Sequence, residues 1–266
     1  MTVSAQLTSD ALPRRRRRVW PWVLGGFVLL IALALVAIDV LARNFAEDLI
    51  AEQTAEVLDV PAGTPVDVRI GGGSVLLQAL AGGLEHVEVL VGSYQVGPLA
   101  GELTLTAQGV PFDLTQPTDS ITVRFDVPEA SLAAISGSLS GVPIESVALE
   151  APEVVANGSL SLFGLTLPLG LGLTPGAVDG ALAFTPTSVR IGDSTIDAGA
   201  LASDPVWGRL ADSVLQQQTV CIADQLPAAL TMTSVAVEDD VLRIEFDGSG
   251  QALDGGGFTT HGTCPA

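Results

Sequence analysis

Residues 121–127 read Ile-Thr-Val-Arg-Phe-Asp-Val, so that apolar and polar side chains alternate along the whole stretch. Successive side chains of a β-strand point to opposite faces, and this pattern therefore predicts a strand with one buried and one hydrated face. The same period of two appears at residues 66–70 and, in shorter form, at 87–89, 103–105 and 189–191. Most of the chain beyond its N-terminal region is accordingly predicted to be antiparallel β.

A charge-free stretch from residue 154 to residue 178 contains a second kind of strand pattern. Gly, Pro and Thr alternate with five leucines, which are Leu165, Leu167, Leu169, Leu171 and Leu173. An ordinary half-buried strand would carry charges opposite its core face, whereas neither face here is built for full hydration. Two interpretations stay open: a strand covered on both sides in a closed core, or a strand lining an apolar groove for acyl chains.

Helices and a hairpin complete the predicted domain. Residues 39–59 place Leu41, Phe45 and Leu49 on one stripe of an amphipathic helix, and Ala42, Ala46 and Ile50 on the neighbouring stripe. Further helices are predicted at 128–135 and from Ser203 onward, where an acidic cap precedes a proline. A hairpin is predicted from two strand-like runs, 231–237 and 241–246, which flank an acidic turn. Because no long linker divides these segments, we expect one α+β domain.

A transmembrane helix is predicted at residues 19–38, which carry no charge. At a rise of about 1.5 Å per residue, such a helix matches a hydrocarbon core of roughly 30 Å. Five arginines at 14–18 precede it, and positive charge favours the cytoplasmic side. We therefore expect a cytoplasmic basic tail at 1–18, an anchor at 19–38 and an extracytoplasmic domain at 39–266, with the protein located in the cell membrane.

Cleavage of this segment is the alternative. Small residues at 40–42 could form a cleavage site, and the product would be periplasmic or secreted. The apolar segment is longer than the roughly 7 to 15 residues of a usual signal-peptide core, which favours the retained anchor.

Charge and composition exclude several classes of function. The chain has 266 residues and a net charge of −19, and its 11 basic residues are all arginine. Such an acidic body repels phosphates, so no nucleic-acid partner is expected. With two histidines and two cysteines, metal sites are hard to build, and neither a metal nor a cofactor is expected. His86 and His261 lack a visible nucleophile partner, and we expect a protein without enzymatic activity.

The two cysteines are predicted to pair. Cys221 and Cys264 both lie in the portion expected outside the cytoplasm, where thiols are oxidised. Two unpaired buried thiols are the alternative.

The order of segments resembles the LmeA-like phospholipid-binding family of actinobacterial cell envelopes. The resemblance lies in the early helix, in the strand, Leu-Gln-x-Leu helical turn, glycine and strand of residues 66–89, and in the Leu-Pro and strand of residues 226–237. It covers roughly residues 40 to 264. The resemblance implies a curved antiparallel sheet wrapped around the amphipathic helix, similar to tubular lipid-binding proteins, and phospholipid binding without catalysis.

Phospholipid acyl chains and the membrane are thus the expected partners. The expected function is membrane-anchored lipid binding or lipid transfer that supports cell-envelope biogenesis or maintenance. The alternative is a structural or scaffolding envelope protein with a closed hydrophobic core. The candidate lipid-binding residues are apolar members of these segments: Phe45, Leu49, Leu76, Leu77, Leu80, Val123, Phe125, Leu165, Leu167, Leu169, Leu171 and Leu173.

Overall fold

The computed structural model describes residues 20–58, 60–61, 63–96, 99–132, 144–162, 165–178, 180–192, 194–203 and 217–264. The helix predicted from Ser203 onward falls mostly on residues 204–216, which lie outside the described residues. The helix predicted at 128–135 is described only as far as Leu132.

Helices occupy the start of the described chain and several connections. Their bounds are α1 Trp20–Val57, α2 Val75–Ala81, α3 Glu129–Leu132, α4 Ala198–Ser203 and α5 Gly256–Thr259. The first strands are β1 Val66–Gly71, β2 Gly83–Val96, β3 Leu99–Pro111, β4 Ser120–Pro128, β5 Ile144–Glu150 and β6 Glu153–Leu162. The remaining strands are β7 Leu165–Val178, β8 Ala181–Ile191, β9 Ser194–Asp197, β10 Gln218–Val220, β11 Thr231–Glu238 and β12 Val241–Asp247.

The strands form two antiparallel sheets. Sheet I has the order β1-β2-β3-β4-β12-β11, so the C-terminal hairpin returns to pair with β4. Sheet II has the order β10-β8-β7-β6-β5, with β9 paired to β8. The α+β class, the N-terminal apolar helix and the antiparallel arrangement are confirmed, and every segment predicted from alternation lies in a strand.

One continuous hydrophobic core joins the two sheets. Sheet I contributes alternate residues of its strands, such as Val89, Phe125 and Ile244, which are almost fully buried. Sheet II contributes Val154 and Leu173, which are directly paired on neighbouring strands. β11 contacts β7, so the sheets meet along this edge.

Charged residues of sheet I lie on the face opposite the core, as period-two geometry requires. Arg124 pairs with Glu245 at 3.2 Å, and Arg243 pairs with Asp126 at 2.8 Å. These are cross-strand neighbours of β4 and β12. Both arginines therefore stay off the inner face of sheet I.

Helix α1 runs without a break from the apolar segment into the domain. Residues predicted as an anchor and as a separate amphipathic helix belong to the same helix, which ends at Val57. Its second half packs against the core through Ala46, Ile50 and Ala51. Ala46 and Ile50 belong to one of the two neighbouring apolar stripes expected from the sequence, whereas the other stripe, Leu41, Phe45 and Leu49, is exposed.

The predicted disulfide is confirmed. Cys221 and Cys264 are bonded, with their Sγ atoms 2.10 Å apart. The bond links the segment after β10 to the end of the described chain.

Candidate functional site

The candidate lipid-binding residues divide into a buried and an exposed group. Val123, Phe125 and Leu173 belong to the closed core, where Phe125 is 2% exposed. Leu171 packs against the same core, and Leu169 is half-buried. The backbone of Leu165 and Leu167 lies on β7, but their side chains lie outside the described part of the chain.

The exposed group comes from two helices. On α1 these residues are Phe45 and Leu49, and on α2 they are Leu77 and Leu80. Leu80 is 85% exposed and Leu77 is 66% exposed. Leu76, also on α2, is half-buried. The structure therefore does not bring all the candidates together around one cavity.

The second face of β7 is covered by polar side chains from the neighbouring strands. Glu153 accepts hydrogen bonds from Thr187 Oγ1 at 2.6 Å and Ser188 Oγ at 3.0 Å. A Cβ atom added at Gly172 would meet Ser188 Oγ at 2.1 Å and Glu153 Oε2 at 2.6 Å. The glycine thus makes room for this polar cluster on the second face of β7.

Helix α2 is short and firmly fixed at both ends. Ser74 caps its N-terminus by accepting a hydrogen bond from the Leu77 N–H, and Gly82 ends it in the left-handed conformation at φ 89°. Gln78 is buried, donates to the carbonyl oxygens of Gly71 and Gly73, and accepts from the Glu85 N–H at 2.8 Å. This side chain ties α2 to the strands on both sides of it.

Val75 and Gln78 are the buried residues of α2. Since a helix turns about 100° per residue, Leu77 and Leu80 project from the opposite side. The Leu-Gln-x-Leu pattern of the sequence therefore combines one inward polar anchor with two outward leucines.

Three charged residues of α1, spaced four apart, fasten the helix to α2 and β1. Asp39 Oδ1 accepts from Ser74 Oγ at 2.7 Å and from the Leu76 N–H at 3.0 Å. Arg43 donates to the carbonyl oxygens of Ile70 and Gly73, and Glu47 accepts from the Ile70 N–H at 2.8 Å. We call Asp39, Arg43 and Glu47 the polar clamp.

The clamp decides which face of α1 meets the domain. Asp39, Arg43 and Glu47 share one stripe of the helix because four residues complete about one turn. Their spacing is visible in the sequence. Their backbone partners are not visible there, because they lie 23 to 37 residues away along the chain. Sequence reasoning therefore missed them.

The loop after β3 adds two further apolar side chains at the same end of sheet I as α2. The Phe112 N–H donates to the carbonyl oxygen of Gly82 at 3.0 Å, which joins this loop to the end of α2. Phe112 and Leu114 are both exposed. Together with Leu77 and Leu80 they form what we call the end surface. The loop lacks a period of two or 3.6, so sequence reasoning did not select these residues.

The end surface is apolar and carries no cluster of positive charge. Between its two loop residues lies Asp113, which is exposed. Hydrogen bonds from the Thr115 hydroxyl and the Gln116 side-chain amide lower the pKa of Asp113, so the carboxylate is ionised at neutral pH. Any ligand of this surface is thus recognised by its apolar character.

Two cavities lie away from these residues. One of about 290 Å³ lies beside the disulfide and is lined by side chains that include Leu226, Leu230 and Met232. The other, of about 380 Å³, is lined by residues of β3, β4 and the β2–β3 region, including Glu102 and Asp126. Neither cavity is lined by a candidate lipid-binding residue.

Potential metal ligands and the two histidines are dispersed among the described residues. Within them, no group of three or more His, Cys, Asp or Glu side chains is placed to hold a metal ion. His86 is half-buried beside Gly71, and His261 is exposed. The two histidines lie on different elements, β2 and the C-terminal segment.

Residues 37–247 match the family model described as LmeA-like phospholipid-binding. No curated protein and no solved structure matches the chain. The matched range begins at the end of the apolar segment, contains the second half of α1 and ends with β12. Both sheets and the polar clamp therefore lie inside it.

Proposed function

This chain belongs to the LmeA-like phospholipid-binding family, and from that premise we propose that it is a membrane-anchored extracytoplasmic protein that binds or transfers phospholipids in support of the cell envelope. Acyl chains are the part of the ligand that this apolar, acidic protein would recognise. Aliphatic contact scales with buried area and distinguishes headgroups poorly, so different phospholipids should be accepted.

The observation that carries the proposal is the difference between the two halves of α1: the first half is apolar and uncovered, and the second half is bound to the domain. A long apolar window within Leu24–Glu56 has a mean hydropathy of 2.7 and is 0% buried inside the protein. A core helix of this hydropathy would be covered by other elements, whereas a membrane-spanning helix is covered by lipid. The second half of the same helix is fastened to the family domain by the polar clamp.

The orientation of the anchor is open to a direct test. We expect the N-terminus in the cytoplasm and the domain outside, because five arginines precede the apolar segment. A reporter enzyme that is active only outside the cytoplasm should work when fused after Ala266. A matched fusion to a reporter that is active only in the cytoplasm should stay silent, and activity of that second fusion would refute the orientation.

Acyl-chain binding along β7 is tested at Leu169, which is half-buried and paired with Gly158 and Ile191. We expect Leu169→Glu to abolish lipid retention, because the bound chain would lose apolar contact and face a charge. Leu169→Trp should also reduce retention, since it fills space without adding charge. Native mass spectrometry of the full chain, released from detergent, measures the bound lipid.

The matched control is Ser146→Trp, an exposed site on β5 of the same sheet, which should keep its lipid. A folded Leu169→Trp protein that keeps a full complement of lipid would mean that lipid binds elsewhere and that β7 belongs to the ordinary core.

A structural envelope protein is the second candidate. It is favoured by the positions of Val123, Phe125 and Leu173, which are closed into the core rather than lining an open space. A purely structural protein should carry no stoichiometric lipid, so the same mass measurement on the unmodified chain separates the two functions.

A further inference from the structure

We propose that the end surface, formed by Leu77, Leu80, Phe112 and Leu114, lies against the extracytoplasmic leaflet of the membrane that α1 spans. The partner is thus a lipid bilayer surface, and the contact is made by insertion of apolar side chains. The inference deepens the proposed function and rests on its membrane anchor. It assigns the outward leucines of α2 to the bilayer rather than to a cavity.

The height of α2 above the membrane follows from the polar clamp. Asp39 is the first charged residue after the apolar segment 19–38, so it marks the edge of the hydrocarbon region. Its carboxylate is hydrogen-bonded to Ser74 and to the Leu76 N–H, which are the cap and first turn of α2. Because these contacts are direct, the start of α2 lies at the same height as the end of the span.

The direction in which the leucines point follows from the register of sheet I. Gly71, His86, Gln108 and Ser120 are paired in succession across β1, β2, β3 and β4, so they mark one end of the sheet. Helix α2 connects β1 to β2 at this end, with Val75 and Gln78 turned towards the protein. Leu77 and Leu80 project from the other side, away from the sheet and towards the membrane boundary.

The loop residues Phe112 and Leu114 lie at the same end. Gly83 is paired with Pro111, and the Phe112 N–H is bonded to Gly82, so the loop continues the surface of α2. The four large apolar side chains come from two separate segments and are all exposed. Large exposed apolar side chains gathered at one end of a sheet mark an interaction site, and their position beside the span selects the bilayer as the occupant.

The charges around the surface define the type of contact. Asp113 lies between the two loop residues, and Glu85 is exposed just after α2. Attraction to anionic headgroups through basic residues is therefore not the basis of this contact. Apolar insertion is only weakly dependent on salt, and we expect the contact to form on neutral lipid and to survive high ionic strength.

The test uses the full chain in phosphatidylcholine vesicles and a fluorescent probe that reports a lipid environment. Since both native cysteines form the disulfide, a cysteine introduced at Leu80 is the free thiol to which a nitrobenzoxadiazole probe is attached. The control is the same probe at Asp240→Cys. Asp240 precedes Val241, which pairs with Pro128 at the opposite end of sheet I. Both sites are exposed, so neither substitution should disturb the fold.

We expect the Leu80 probe to emit at shorter wavelength than the Asp240 probe and to be quenched several-fold more strongly by spin-labelled phosphatidylcholine, at low and at high salt. Equal quenching at the two sites would overturn the proposal. Shielding of the Leu80 probe without quenching by lipid would identify a second copy of the chain as the occupant, and would overturn it as well. Bound lipid is measured on the same labelled protein and tests the proposed function separately. A chain that retains lipid but shows no contact between Leu80 and the bilayer would contradict this inference and leave the proposed function standing.

Discussion

Replacing Phe125 by Ala is expected to lower the free energy of unfolding by about 3–5 kcal/mol, the usual cost of removing a buried aromatic ring. Phe125 is 2% exposed on β4 and lies between Leu103 of β3 and Ile244 of β12 in the register of sheet I. Deleting the ring leaves a cavity that the flanking strands cannot close, because their hydrogen-bonded ladders fix their spacing. Urea titration of the full chain in detergent, followed by circular dichroism, measures the effect.

The control for Phe125→Ala is Leu80→Ala, which removes a large apolar side chain from an exposed site. Its effect in the same titration should stay within about 0.5 kcal/mol. The comparison also tests an assignment made from the sequence, in which both residues were candidate lipid contacts. A loss below about 1 kcal/mol for Phe125→Ala would contradict its place in a closed core and favour a site that lipid fills.

Removal of the disulfide should have a similarly large effect. The bond between Cys221 and Cys264 closes a loop with a sequence separation of 43 residues, and the chain-entropy model assigns such a loop about 4 kcal/mol. The double variant Cys221→Ser, Cys264→Ser is the informative one, since a single substitution leaves a reactive thiol. In thermal melts, the double variant should therefore unfold at a lower temperature than the oxidised protein.

The bond itself is checked independently of stability. Thiol labelling of the unfolded, non-reduced protein should modify neither Cys221 nor Cys264, whereas prior reduction should expose both. Labelling of both cysteines without reduction would refute the bridge and remove the basis for the expected loss of stability.

The strands were predictable because alternation is a local property of the sequence. Residues 66–70 and 121–127 each show the period of two, and both are strands of sheet I with alternate side chains in the core. The hairpin of β11 and β12 was predictable for the same reason. The division of the strands into two sheets was not, since it depends on the pairing of β4 with β12, more than a hundred residues away.

The packing face of α1 shows why helical periodicity alone was insufficient. The sequence placed two neighbouring apolar stripes on this helix and did not distinguish between them. Ala46 and Ile50 of one stripe pack against the core, whereas Leu41, Phe45 and Leu49 of the other are exposed. The polar clamp fixes the rotation of the helix, and its partners are backbone atoms of β1 and α2. Such partners leave no side-chain signature in the sequence.

The glycines of β7 were open to more than one interpretation for a related reason. The sequence allowed Gly170 and Gly172 to admit a ligand, whereas the described residues fill the space with side chains from β6 and β8. Glu153 and Ser188 cover Gly172, and Arg190 lies over Gly170. Which side chains face a glycine across a sheet depends on register, and register is set by the whole sheet.

The unbroken course of α1 limits how a protein of this kind could work. From Asp39 to Val57 the helix rises roughly 27 Å, and the clamp joins the domain to the part of it nearest the apolar segment. If the apolar half of α1 stays in the bilayer, as proposed, the clamp holds the domain directly at the membrane surface, so the domain cannot carry a lipid across a wide gap. If this chain transfers lipid, the acceptor must approach the membrane-held domain. Transfer would then take place at one fixed distance from the bilayer.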